Sequence, residues 1–283
     1  MSRSWRAERR GRATIRAALL GVAVVVALLP LLWTTLAAIG FEPDNDRTPP
    51  AWVGALSLDH LAEVSVVEPD FWQELATSVG VSAAAAILAT AVSFLAGYGI
   101  ARSMSPALRR LSPALLVLAS LPVMAYVLPL SELLRRAGFL DTLPGLTFAE
   151  AAATAPLAVY VLSAHLAGTS RDTEEAARLE GASLWRLLRD VVLPTAAPIV
   201  AATAIILFVL DWNMLLIPLV LTGIDVRTLP VILTDFFTLE REVDWPTAAA
   251  ALAVSLLPVL VLVGVLFRLL DRFRLGGDAT EPA

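Results

Sequence analysis

Residues 174–198 read EEAARLEGASLWRLLRDVVLPTAAP, a charged stretch between two strongly apolar ones. Their chemistry is that of contact rather than bond-making. Ala176 and Ala177 form a small, smooth patch flanked by Glu174, Glu175 and Glu180, which suits insertion of a helix into a groove on another protein. Leu184, Trp185, Leu187 and Leu188 beside Arg186 and Arg189 equally suit a helix lying on lipid, and the residues leave both readings open. A second group, Asp211-Trp212-Asn213, offers a carboxylate, an aromatic face and an amide. These are the groups that hold a hydroxyl-rich ligand, and the same three would also serve to cap or pack a helix broken near Pro218.

Other chemistry is excluded by composition. There is no cysteine, which removes thiolate metal sites, disulfides and a cysteine nucleophile. All 21 basic residues are arginine, so a P-loop lysine, a Schiff-base lysine and a Ser-Lys dyad are absent too. If ATP drives this protein, another chain binds it. His60 and His165 lie far apart in sequence, and no metal site is expected. No nucleic-acid partner is expected either.

The elements that must position these groups are membrane spans. Hydrophobic residues make up 58% of the chain and mean hydropathy is +0.75, against roughly 45–50% apolar residues in a soluble domain. Runs of about 20 apolar residues predict six spans, near 15–40, 76–101, 112–131, 147–168, 197–222 and 246–268. The third carries Pro122 and Pro129, which interrupt the hydrogen-bond ladder, and Pro156, Pro218 and Pro258 do the same later. The run MSRSWRAERRGR resembles the charged start of a signal peptide, but the apolar stretch after it is longer than a signal core, so an uncleaved first span is expected.

Arginine placement orients the spans. Arg3 to Arg12, Arg102, Arg109, Arg110, Arg171, Arg178, Arg186, Arg189, Arg268, Arg272 and Arg274 fall on one side; Arg47, Arg135, Arg136, Arg227 and Arg241 fall on the other. By the positive-inside rule both termini and the 169–196 loop are cytoplasmic. The outer segment 42–74 is acidic, with Asp44, Asp46, Asp59 and Glu63 among others. It is either a solvated connector or a surface that meets a partner. In the 169–196 loop, Asp172 is expected to cap a short helix with Glu175 at its N3 position, and Gly181 to make the turn. Ser183 would cap a second helix that Pro194 ends. The small residues of span two, from Ser82 to Gly97, suit close helix packing.

Glu175-Ala176-Ala177, three residues, Gly181, nine residues, Val191, one residue and Leu193-Pro194 resemble the E-A-A-x3-G-x9-I-x-L-P signature of permease subunits in binding-protein-dependent ABC importers, with Val for Ile. Asp211-Trp212-Asn213 with Leu216-Ile217-Pro218-Leu219 is similar to the W-N-x-x-L-x-P stretch of the carbohydrate, maltose-type permeases. Thr228-Leu229-Pro230-Val231, Asp244-Trp245 with Ala248-Ala249-Ala250, Gly97-Tyr98 with Ala101-Arg102, and the closing Phe273-Arg274-Leu275-Gly276-Gly277 are similar to that family as well. The chain departs from the family at Thr169-Ser170 (often Ile-Pro), Glu180 (often Asp) and Thr77-Ser78 (often Asn-Ser).

The resemblance implies an all-α integral membrane protein with six transmembrane helices, a type I ABC importer permease-like bundle with a cytoplasmic coupling helix. It implies a cytoplasmic segment 1–14, a permease domain 15–268 with its coupling loop at 169–196, and a cytoplasmic tail 269–283. Implied partners are a cytoplasmic ABC ATPase dimer that binds ATP and Mg, a second permease subunit, an extracytoplasmic solute-binding protein and membrane lipid. Within residues 172–194, Glu175 would anchor the loop in the ATPase, Ala176 and Ala177 give the fitted surface, Gly181 the turn, and Leu193-Pro194 the end of the motif. Asp211, Trp212 and Asn213 are the expected substrate-pathway residues. The rival expectations are an importer of a polyamine or amino acid, an ion-driven carrier, and a membrane enzyme, which lacks a convergent catalytic set.

Overall fold

The computed structural model describes residues 2–44, 51–53, 57–236 and 245–277. The expectations on Asp46, Arg47, Arg241, Asp244 and the tail beyond Gly277 lie outside these residues. Two compact units are formed, one from residues 1–70 with 236–256 and one from 71–235 with 257–283.

In the first unit, α1 (Ser2–Ala38) carries Pro30 and leaves Leu19, Leu20, Val26 and Leu32 each at least 60% exposed, the surface of a helix made for lipid rather than water. A short antiparallel pair follows, β1 (Glu42–Asp44) and β2 (Ala51–Val53), with Glu42 opposite Val53. Then comes α2 (Asp59–Val67), where the Ser57 hydroxyl accepts from the Asp59 N–H. His60 sits 2.9 Å from Glu63, an ordinary surface partnership.

The second unit is built on α3 (Phe71–Arg102), 32 residues without a proline. Ser82, Ala86, Ala89, Ser93 and Gly97 recur at helical spacing and are buried, so α3 can approach its neighbour at backbone range. A Cβ at Gly97 would stand 3.0 Å from the Ser163 nitrogen.

The stretch predicted as a third span is not one helix. It is α4 (Pro106–Ala119), a 3-10 turn over Val123–Ala125, and α5 (Val127–Ala137). Pro122, without an N–H, ends the ladder there, whereas Pro129 falls in the first turn of α5, where the missing donor costs nothing. Gly138 closes α5 at φ +75°. The neighbour of α3 is α6 (Leu143–Ala167), whose Thr142 hydroxyl caps the Gly145 N–H at 3.1 Å.

The charged stretch becomes α7 (Asp172–Leu179) and α8 (Leu184–Leu187). Ser183 caps α8 as expected. Two expectations are corrected. Asp172 is the first residue of α7 rather than its cap, and the Ser170 hydroxyl accepts from the Asp172 N–H instead. Pro194 does not end the following helix: a π-turn at Leu188–Val192 widens the ladder one turn ahead of it, and the chain runs on into α9 (Leu193–Trp212). A proline clashes with the carbonyl four residues back, and the wider turn accommodates it.

A break at Asn213–Leu215 separates α9 from α10 (Leu216–Leu221), one turn ahead of Pro218 for the same reason. Then come α11 (Leu229–Asp235) and α12 (Trp245–Gly277). Among the described residues, α1, α3, α6, the α8–α9 run and α12 are each long and apolar enough to cross a bilayer.

Candidate functional site

Arg102, the last residue of α3, is the centre of a buried knot joining three helix ends. Its guanidinium grips Glu174 of α7 through Nε at 3.0 Å and Nη2 at 2.5 Å. It also donates to the Leu166 carbonyl at the end of α6 (2.6 Å) and to the Thr169 hydroxyl (2.9 Å). The Tyr98 hydroxyl donates to Glu174 at 3.0 Å and accepts from Arg178 at 3.1 Å. A planar fork with five donors matches such a set, which a lysine could not satisfy. Burial alone would push the Glu174 carboxyl up, but the bonds from Arg102 and Tyr98 outweigh it and hold the group below the usual carboxylate range.

The two adjacent acids of the charged stretch therefore do different things. Glu174 faces its own chain, while Glu175 and Ala176 are exposed on the opposite side of α7. Ala177 is half buried, packed against the apolar cluster that holds Tyr98, Leu166, Leu187 and Leu188, so the alanine pair is split between inside and outside. Gly181 stands at φ +84°, with the Gly181 N–H bonded to the Arg178 carbonyl and the Ala182 N–H to the Ala177 carbonyl. This is the left-handed helix stop that the sequence spacing predicts. Leu184 and Trp185 on α8 are more than 60% exposed, so the exposed small-residue surface lies on α7 and the exposed apolar one on α8. Leu193 lines an apolar groove with Ile87, Phe94 and Trp185, apart from the exposed acid of α7, and Pro194 is exposed beside it.

Asp211, Trp212 and Asn213 are also divided. Asp211 and Trp212 are 2% and 5% exposed, and Trp212 stacks on Phe208 at 5.9 Å rather than offering its face. Asp211 lines a tight internal pocket with Ser78, Ser82, Thr228 and Glu150, a second buried acid that sequence reading overlooked because it stands alone in an apolar run. Asn213 is exposed at the α9–α10 break. It lines a cavity of about 590 Å³ with Ser120, Tyr126 and Thr154, within the usual range for a small-molecule site. Its amide nitrogen donates to the Val209 carbonyl at 2.7 Å, which leaves its oxygen as an acceptor. Ser120 and Tyr126 come from the α4–α5 break, so both broken helices contribute to this cavity. No group of three or more metal-ligating side chains occurs among the described residues.

The opposite end of the second unit carries its own clamp. The Asp141 carboxylate accepts from four successive backbone N–H groups, Gly223 to Val226, at 2.8–3.1 Å. Burial opposes its charge, but these four donors outweigh it and hold its carboxyl below the usual range. The Ser78 hydroxyl accepts from the Leu229 N–H at 2.6 Å, and Arg227 lies 3.5 Å from Glu74 and 2.5 Å from Asp235.

Residues 91–275 match the family described as binding-protein-dependent transport system inner membrane component. The chain is 32% identical over 257 residues to the trehalose transport system permease protein SugB of Mycobacterium tuberculosis, covering 89% of this chain and 92% of that one. It is 25% identical to the trehalose/maltose transport system permease protein MalG of Thermococcus litoralis, covering 86% and 88%. A chain of a bacterial ABC transporter involved in import of the acidic polysaccharide alginate superposes with a TM-score of 0.74 at 19% identity, over 95% of this chain and 98% of that one. The same kind of transporter, solved with an alginate pentasaccharide-bound periplasmic protein, gives 0.67 at 14% identity over 96% and 98%. At such identities the structural likeness speaks for the fold. Together with the family match and the near full-length similarity to a permease, it places this chain among the inner-membrane components of binding-protein-dependent transport systems.

Proposed function

We propose that this chain is a permease subunit of an ATP-driven importer of a sugar or oligosaccharide. It would pair with a second permease and a cytoplasmic ABC ATPase dimer that binds ATP and Mg, and receive solute from an extracytoplasmic binding protein. Both termini and α7 would be cytoplasmic, with the α4–α5 pair making the sixth crossing. The observation that carries the reading is the division of labour on α7. Glu174 is locked to Arg102, while Glu175 and Ala176 stay free for a partner. A helix rigid on one side and open on the other can transmit a push from an ATPase. Glu175 would anchor in the ATPase groove, Ala176 fit its surface, Gly181 set the turn, and Leu193-Pro194 join the loop to α9. The permeases named for trehalose and maltose support sugar as the solute, and the cavity with Asn213, Tyr126, Ser120 and Thr154 offers hydroxyl and amide groups suited to it.

The test is uptake of labelled trehalose and maltose by proteoliposomes holding the complete transporter, with binding protein outside and ATP inside. Uptake that requires ATP is expected; uptake that persists without ATP and collapses with an ion gradient would replace this reading with an ion-driven carrier.

Gly181→Val should lower ATPase recovery in a mild-detergent pull-down about tenfold, because a left-handed backbone costs about 1–2 kcal/mol for a side-chain-bearing residue. No atom lies within 4 Å of a Cβ built at this position, so the effect is conformational rather than steric. Gly181→Asn, which tolerates that backbone, should retain much more. Equal recovery for the native chain and both variants would contradict the assignment.

A further inference from the structure

We propose that α3 is the strut that carries the position of α7 to the loop 222–235 at the other end of the unit, with Arg102 and Glu74 as positioning residues at its two ends. At 32 residues and about 1.5 Å per residue it is about 48 Å long, well beyond the ~30 Å hydrocarbon layer, so both ends stand in the polar zones. Of the helices long enough to cross, α3 is the one described without a proline; α1, α6, α9 and α12 hold Pro30, Pro156, Pro198 and Pro258.

Both ends are fastened by polar contacts rather than packing alone. At the inner end Arg102 and Tyr98 hold Glu174, and Arg171 of the α7 entry donates to the Ala101 carbonyl at 3.3 Å. At the outer end Ser78 takes the Leu229 N–H, and Glu74, 6% exposed, pairs with Arg227. The loop that receives these contacts is itself held as one body by the four bonds to Asp141. A displacement of α7 is therefore shared along α3 with that loop.

The competing route runs from α7 through α8 and α9. It contains the π-turn at 188–192 and the break at 213–215, either of which can absorb a displacement by local rearrangement. A stiff rod fastened at both ends outcompetes a jointed one.

This inference rests on the assignment of α7 as the ATPase-coupling helix, and the experiment separates the two. The chain has no cysteine, so a single introduced thiol is its only maleimide target. Ile224→Cys, at a 93% exposed position, reports on the outer loop, and Leu179→Cys, at a 90% exposed position, reports on α7. Labelling of this chain's gel band is followed in the complete transporter, free of nucleotide and trapped with ATP and vanadate.

In the otherwise native chain, labelling at 224 should differ between the two states by about fivefold or more, the size of a modest coupling free energy. Glu174→Gln should abolish that difference while the ATPase still copurifies and still protects position 179. Glu74→Gln, at the far end, should do the same. Arg102→Lys, which keeps the charge without the fork, should give an intermediate response and serves if Glu174→Gln fails to accumulate. A full state-dependent difference at 224 in Glu174→Gln or Glu74→Gln, or none in the native chain, overturns the strut. Failure of the native chain to bring down an ATPase or to protect 179 instead overturns the coupling assignment beneath it.

Discussion

Arg102→Ala should cut ATP-dependent uptake by about two orders of magnitude while the protein still inserts and folds. Removing one member of a buried ion pair costs roughly 3–5 kcal/mol, since the partner is left charged without compensation, and about 3 kcal/mol suffices for a hundredfold change. Here the orphan is Glu174, whose side chain is 9% exposed, and the Leu166 carbonyl and Thr169 hydroxyl lose a donor with it. The body of the fold is held elsewhere, by the small-residue seam between α3 and α6, so the damage falls on α7. Trypsin should then cut faster after Arg171 and Arg178, at the entry and in the last turn of that helix.

The double variant Arg102→Ala with Glu174→Gln supplies the sharper measurement. In the single variant the Arg102 bonds are gone and only the Tyr98 hydroxyl and the Arg178 charge still oppose burial, so that acid would take up a proton under milder acidity than in the native chain. An uncharged glutamine removes that penalty. The double variant is therefore expected to resist trypsin better than Arg102→Ala alone, a positive interaction in a double-mutant cycle. Native-like uptake and trypsin resistance in Arg102→Ala would show that the knot does not hold α7.

Asp141→Ala should loosen the loop that starts at Gly223 and remove an acid-sensitive part of the stability. Four backbone donors lose their acceptor. Those of Gly223, Ile224 and Asp225 are exposed and can turn to water, while Val226 is buried, so a cost of about 1–3 kcal/mol is expected. The sign with pH follows from the depressed carboxyl. Its contribution is complete at neutral pH, above the value of the unfolded chain, and fades as acidification passes the lower folded value. Thermal melts should show the native protein ahead of the variant at neutral pH, with the gap closing in acid. Asp141 itself sits at φ +54°, a backbone that Asn also accepts, so Asp141→Asn should recover part of the loss without the acid dependence. A gap between native and alanine chains that is constant with pH would contradict the four-bond account.

Much of this was legible in the residues because some signals are local. A run of apolar residues predicts a helix of matching length, and Gly181 followed by Ser183 marks a stop and a fresh cap whatever the rest of the chain does. Glu175-Ala176-Ala177 stood out through its resemblance to the permease signature, and Glu175 and Ala176 stand exposed on α7. Pro122 and Pro218 announced breaks, yet their placement depended on where the ladder fails relative to each ring, which moved one of them a turn upstream.

What sequence reading missed were pairings across the fold. Arg102 and Glu174 are 72 positions apart, and Asp141 meets its donors 82 to 85 positions away. Tyr98 and Arg102, one helical turn apart at the end of a span, carried a usable hint of a polar site there. Asp211-Trp212-Asn213 read as a unit because the residues are adjacent, but adjacent helical residues point about 100° apart, so two turn inward and one meets the cavity.

The π-turn at Leu188–Val192 sets a rotational phase. A widened turn holds roughly one residue more than the α-helical count, so everything before it is turned about 100° relative to everything after. Deleting one residue from 188–192 would let the helix close up while swinging α7 around the axis, carrying Glu175 away from its outward bearing and Glu174 away from Arg102. Substitution at these positions changes side chains; a one-residue change in length re-aims the loop. The segment between α8 and α9 should therefore vary in sequence far more freely than in length.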